Sequence, residues 1–164
     1  MKKIYYLVFL ILSFSFINGC GGYKPIFSSE KLKFKISNYE IIGDKKLGNK
    51  FYSKIHNLSK SDSNLSENKV LDLLINIEKT KNPTSKNSAG KTLAYKIDLI
   101  AKIKFTDFVT EKNILDRTFG SSLTYNVQDQ YSDTLKLENQ TIENLINKIY
   151  QDILINLSKN LNTK

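Results

Sequence analysis

Cysteine, histidine and methionine each occur once in this chain. Single copies exclude a disulfide framework, a Cys/His zinc site and a Cys-His dyad assembled from repeats. Arg117 is the one arginine among 25 basic residues, and Asn, Ser and Ile are abundant. That bias toward lysine means that an individual lysine carries little information. No apolar run reaches the roughly 20 residues that a membrane-spanning helix needs. Nucleophile elbow, phosphate loop and paired metal carboxylates are all missing, so the chain reads as a protein that is not an enzyme. His56 follows the apolar Ile55 and is expected to point sideways toward water, without the partner a catalytic base requires. What remains is 164 residues with 40% hydrophobic and 11% aromatic content, enough for one core in one domain.

The first twenty residues read as a processing signal. Lys2 and Lys3 precede Ile4 to Ile17, an apolar run broken only by Ser13 and Ser15. It closes on Ile17-Asn18-Gly19-Cys20, which resembles the lipobox of bacterial lipoproteins, with Asn18 where a small apolar residue is usual. Residues 1–19 are therefore expected to be a lipoprotein signal peptide, 20–30 a lipidated tether and 31–164 a single domain. Cleavage removes Lys2 and Lys3, taking the formal charge from +9 to +7. A diacylglycerol and an acyl chain on Cys20 would bury many methylenes at about 0.8 kcal/mol each, enough for stable anchoring. No other cofactor is expected. Gly21 follows the cysteine where an Asp would favour inner-membrane retention in enterobacterial lipoproteins, so the resemblance suggests the outer membrane, facing the periplasm.

In the mature chain Leu32, Phe34 and Ile36 alternate with polar residues, predicting a half-buried strand that Tyr39 and Ile41 extend. Leu47, Phe51, Ile55 and Leu58 share one face of a helix that Asp44 can cap. Asn57 to Lys69 is a polar connection. Leu71, Leu73, Ile75 and Ile77 mark a second strand, and Leu93 through Phe105 a third, joined across a polar loop bounded by Asn82-Pro83 and Ala89-Gly90. That predicts a hairpin with a long tip. A fourth strand runs near Ile114 to Tyr125 after a short turn, and Ile142, Ile146, Ile149, Ile153, Leu157 and Leu161 stripe a long terminal helix, flanked by Leu145 and Leu154. The fold class is α+β: a two-layer sandwich of a four-stranded, mostly antiparallel (mixed) sheet with two helices on one face, in the order β-α-β-β-β-α. The first two strands can pair in parallel around the first helix.

The polar sheet face carries Lys96, Asp98, Lys102 and Lys104 on one strand and Lys33 and Lys35 on another. Alternation alone demands polar residues there, so a solvated face is the plain reading; an anion-facing surface is the functional one. Nucleic acid is not an expected partner, since no basic-aromatic recognition motif stands out.

After Cys20 comes Gly22-Tyr23-Lys24-Pro25-Ile26-Phe27. This segment resembles the start of the LptE family, the lipoproteins of lipopolysaccharide assembly. The element order and Tyr125-Asn126 leading through Tyr131 into a long terminal helix are similar to that family over essentially the whole mature chain. The resemblance implies a non-enzymatic role in the outer-membrane lipopolysaccharide translocon. It implies two partners, the LptD β-barrel, in whose lumen the protein sits as a plug, and lipopolysaccharide itself. It also implies basic contact positions that map onto Lys86 and Lys91 at the hairpin tip and Lys136 near the start of the last helix. Two other classes share the lipobox, size and α+β character: an auxiliary lipoprotein of a phospholipid-transport ABC system, and a lipoprotein activator of an envelope enzyme.

Overall fold

The structure, a computed structural model, describes Leu32 and residues 34–59 and 69–162. The expected signal, Cys20 and the Tyr23 to Phe27 segment lie outside the described residues. Six elements follow one another: β1 (Phe34–Gly43), α1 (Lys45–Ser59), β2 (Lys69–Lys86), β3 (Thr92–Asp107), β4 (Asn113–Asn126) and α2 (Tyr131–Asn162). They form an α+β fold with one sheet in the order β1-β2-β3-β4. β1 and β2 are parallel across the α1 crossover, and the two remaining pairs are antiparallel.

Period-two alternation puts one face of the sheet in the core. Leu71, Leu73, Ile75 and Ile77 of β2 are buried, as are Ile97, Leu99, Ala101, Ile103 and Phe105 of β3. In β1 the phase of the apolar residues changes, from even numbers at Phe34 and Ile36 to odd numbers at Tyr39 and Ile41. A bulge explains it: Ile36 pairs with Leu71 and Tyr39 with Leu73, so β1 uses three residues where β2 uses two. The extra residue keeps Tyr39 and Ile41 on the helix side, where the Tyr39 ring stacks on Tyr52 of α1 at 3.8 Å.

Both helices cover that face. Gly43 turns the chain out of β1 with φ +82°, and a Cβ there would meet the Ile77 carbonyl oxygen at 2.2 Å. Asp44 then caps α1, its Oδ1 accepting the Leu47 N–H at 3.1 Å. Leu47, Phe51 and Ile55 are buried, and Gly48 lets the helix backbone lie directly against β1, since a Cβ would stand 2.3 Å from Ile41 Cγ2. On α2 the predicted stripe is core: Ile142, Ile146, Ile149, Ile153 and Leu157 are buried, Leu145 is equally so, and Leu161 packs at its margin. The lone His56 is half-buried, its ring edge-on to Tyr52 at 5.2 Å.

The hairpin between β2 and β3 differs from expectation. Its tip is short, because β2 continues through Pro83 to Lys86 and pairs with β3 as far as Lys86 opposite Thr92. Proline is tolerated there because β1 ends opposite Ile77, which leaves the rest of β2 an edge strand, and bulges interrupt the pairing after Pro83. The turn is built by Asn87, whose Oδ1 accepts the N–H groups of Ala89 and Lys91, with Gly90 at φ +78°.

Candidate functional site

The extended hairpin forms an arm of the sheet that no β1 residue flanks, and its inner side meets the start of α2. Continuing the β2 alternation past Ile77 places Lys79 and Lys81 on that inner side, opposite Leu99 and Ile97. Lys81 is held from three directions. Its Nζ donates to Glu138 Oε2 at 2.5 Å, and it lies 4.4 Å from the Tyr95 ring centre and 5.6 Å from that of Tyr125. The Tyr125 hydroxyl donates to the same carboxylate oxygen at 2.8 Å, and the two tyrosine rings, cross-strand partners, stack at 6.0 Å.

The electrostatics follow from this geometry. Partial burial opposes the charge on Lys81, but its hydrogen bond to the Glu138 carboxylate outweighs burial and raises the ammonium pKa above the ordinary lysine value. Burial likewise opposes ionisation of Glu138, and the hydrogen bonds from Lys81 and Tyr125 override it and hold the carboxyl below its usual range. Burial raises the Tyr125 phenol. The cluster is internally satisfied and charge-balanced, a clamp between the arm and α2.

The clamp forms one wall of a cleft of about 400 Å³ lined also by Lys91, Gln128, Tyr131 and Leu135. Of the three predicted contact lysines, Lys91 is the one in this cleft. Lys86 sits at the end of β2, exposed, beside the turn. Lys136 lies on the far side of α2, in a shallow groove of about 570 Å³ with Leu135, Asn139, Gln140 and Glu143. It is the sixth residue of α2, past the first turn where a helix dipole acts on a cation. The structure thus brings the three lysines to one end of the molecule on both sides of the start of α2, without joining them in one pocket.

Sequence reasoning missed Lys81 and Glu138 as a pair. The alternation of β2 was the available signal; Pro83, read as the start of a loop, concealed it.

The outer sheet face carries Lys96, Lys102 and Lys104, with Lys96 paired to Asp98 at 2.8 Å. Exposed Ile42 and Ile100 interrupt the polar residues there. Among the described residues no helix is long and apolar enough to cross a membrane.

No family model matches the chain, and no curated protein sequence matches it. Solved structures do share its fold. A protein of Caulobacter crescentus CB15 described as a lipoprotein superposes with a TM-score of 0.55 at 11% identity, covering 81% of this chain and 93% of its own. Lipoprotein B of Nitrosomonas europaea gives 0.55 at 13%, with 81% and 88% covered. The rare lipoprotein B of Shewanella oneidensis gives 0.51 at 12%, with 76% and 98% covered. At these identities the likeness is one of fold.

Proposed function

We propose that this chain is a non-enzymatic lipoprotein of the outer membrane, anchored through Cys20 and facing the periplasm, that works in lipopolysaccharide assembly by plugging and assisting an LptD-type β-barrel. The observation that carries the reading is a conjunction: a lipobox cysteine followed by Gly22-Tyr23-Lys24-Pro25-Ile26-Phe27, on a chain whose described residues have the order β-α-β-β-β-α. Structures of bacterial lipoproteins with the same fold support the coarser half of it. A two-layer sandwich with a polar outer sheet face and polar helix flanks is the kind of body that a polar barrel lumen accommodates. Lys86, Lys91 and Lys136 are the proposed lipopolysaccharide contacts, offering ammonium groups to phosphates or acidic sugars from the arm and from α2. The test is affinity purification from detergent-solubilised envelope followed by mass spectrometry. A large β-barrel is the expected partner, and recovery of the subunits of a phospholipid-transport ABC system or of an envelope enzyme instead would overturn the assignment.

A further inference from the structure

The end of the sheet opposite the arm carries a small apolar tip. Between β3 and β4 the chain turns through Phe108 and Val109, residues that are 51% and 80% exposed. The turn is rigidly built. Asp107 Oδ1 accepts the N–H groups of Val109 and Thr110 at 3.0 and 2.8 Å, and the Asp107 N–H donates to the Lys112 carbonyl at 2.9 Å. Glu111 closes it with φ 55°, a backbone conformation that non-glycine residues seldom adopt. Such a turn presents two apolar side chains at its apex where polar residues would cost nothing in folding.

The position of the tip says what it faces. The Phe108 N–H donates to the Val70 carbonyl at 2.9 Å, and Val70 is the parallel partner of Lys35 in the first turn of pleat of β1. The tip therefore lies at the end of the sheet where β1 begins, about two strand spacings or ~10 Å across from it. Eleven residues lie between Cys20 and Leu32, a span of at most roughly 40 Å when fully extended. β3, with 16 residues, is longer than that at roughly 50 Å. An acyl-anchored Cys20 thus holds this end of the domain within about 40 Å of the lipid, a bound that the arm end does not share. The charge around the tip is mixed with a small basic excess. Lys35, Lys69, Lys104, Lys112 and Lys159 sit at this end, where Lys69 Nζ reaches the Leu161 carbonyl, beside Asp72, Asp107, Glu111 and Asp116, and Asp72 Oδ1 is taken up by Asn38. The Asp107 carboxylate is already engaged by the turn, and the Thr110 N–H holds its pKa low.

We infer that Phe108 and Val109 insert shallowly into the lipid surface beside the anchor and, with the surrounding lysines, hold the β1 end of the domain at the membrane surface, with the arm at the opposite end. This rests on the anchored-lipoprotein reading, and it adds a second, protein-borne membrane contact. Two apolar side chains hold no protein to a bilayer by themselves; tethered by the acyl chains they act at high effective concentration.

The experiment uses the full-length acylated protein in vesicles of phosphatidylethanolamine with a minority of phosphatidylglycerol. Acylation consumes the chain's one cysteine, so Val109→Cys supplies a single free thiol for an environment-sensitive dye, and Ser88→Cys at the arm's turn supplies the control. The dye at position 109 is expected to shift to the blue and to be quenched by nitroxides carried on the lipid chains, with no change at position 88. Adding Phe108→Asp should abolish the shift at 109 while the protein still floats with the vesicles. Aqueous emission at both positions, with palmitate on Cys20, would overturn the inference and leave the anchor standing. A shift at 109 that needs co-purifying envelope protein and is absent in lipid alone would assign the tip to a protein partner and overturn it too. Failure of Cys20 to take up palmitate would sink the anchored reading and this inference together.

Discussion

The two ends of the sheet are held by different physics. At the β1 end every inward position of β2 from Leu71 to Ile77 and of β3 from Ala101 to Phe105 is buried under the helices, so order there comes from apolar packing. At the arm, β2 residues 79 to 86 are all exposed, and beyond their pairing with β3 what ties them to the helix layer is a clamp of one ammonium, one carboxylate and two phenol rings. Burial on β2 ends where β1 ends, opposite Ile77, and beyond that point β2 is an edge strand paired with β3 alone, while β3 stays flanked by β4. The contrast predicts that substitutions in the first region act globally, and in the second locally.

The largest effect is expected in the shared core. Ile149 is fully buried beneath the middle of α2, and Ile149→Ala should cost about 2 to 5 kcal/mol, read as a clear fall in the melting temperature of the whole domain. An unchanged melting temperature would place the α2 stripe outside the core and erase the difference between the two regions. Gly48→Ala probes the same region from the backbone side. The new methyl would overlap Ile41 Cγ2, so α1 must move away from β1, and overpacking of this kind costs about 1 to 3 kcal/mol despite the gain in helix propensity. Thermal stability equal to that of the parent protein would show that α1 can slide freely on the sheet.

Glu138→Gln probes the clamp. Exposed or half-exposed ion pairs contribute about 1 kcal/mol or less, and the Lys81 side chain is 34% exposed, so the global midpoint should hardly move. Amide hydrogen exchange should instead accelerate in residues 79 to 86 and in their β3 partners from Thr92 to Leu99, with the Ala101 to Phe105 part of β3 unaffected. The pH dependence has a definite sign. The folded carboxyl of Glu138 lies below its ordinary 4.5, so its contribution is complete above that value and drains as pH falls through the lowered one. Lys81, raised above its ordinary 10.5, contributes fully below 10.5 and loses its effect as pH climbs past the raised value. Parent protein should therefore lose arm protection in acid before the core responds, and Glu138→Gln should show no such acid limb. Protection of the arm that is equal in both proteins from neutral pH into acid would mean that strand pairing alone orders it.

How far the sequence revealed this division depends on the residue. Period-two runs such as Leu93 to Phe105 and the 3.6-residue stripe of α2 announce their elements because burial on one face imposes the spacing, and Asp44 announces the start of α1 for the same local reason. Signals that depend on a neighbour were harder to see. The bulge in β1 shows in the sequence only as a change of phase between Ile36 and Tyr39. Gly48 reads as a weak helix residue until Ile41 is known to press on it. Pro83 reads as a loop because its tolerance depends on β1 ending opposite Ile77, a fact of the sheet and not of the local chain. The candidate site follows that rule: Lys86, Lys91 and Lys136 could be named as exposed cations, whereas the pairing of Lys81 with Glu138, 57 residues apart, required the fold.

The smallest effect on stability, and the one that separates binding from folding at the arm, is expected from Lys86, Lys91 and Lys136. All three are exposed, and none of their ammonium groups is held in a clamp like that of Lys81. Replacing the three together with Gln should leave the melting temperature and the exchange pattern of the arm as they are, since no buried group loses a partner. Their proposed work is on the ligand. Each exposed charge contributes at most about 1 kcal/mol toward a phosphate and is screened by salt, so the triple variant should bind lipopolysaccharide more weakly at low ionic strength and converge on the parent protein as salt rises. Lys91 shares a cleft with the clamp, whereas Lys86 and Lys136 do not, so Lys91→Gln alone should account for more of the loss than either of the others. Equal binding by parent and triple variant at low salt would return all three to solvated surface, and barrel assembly would then be the whole of what the arm and the start of α2 contribute.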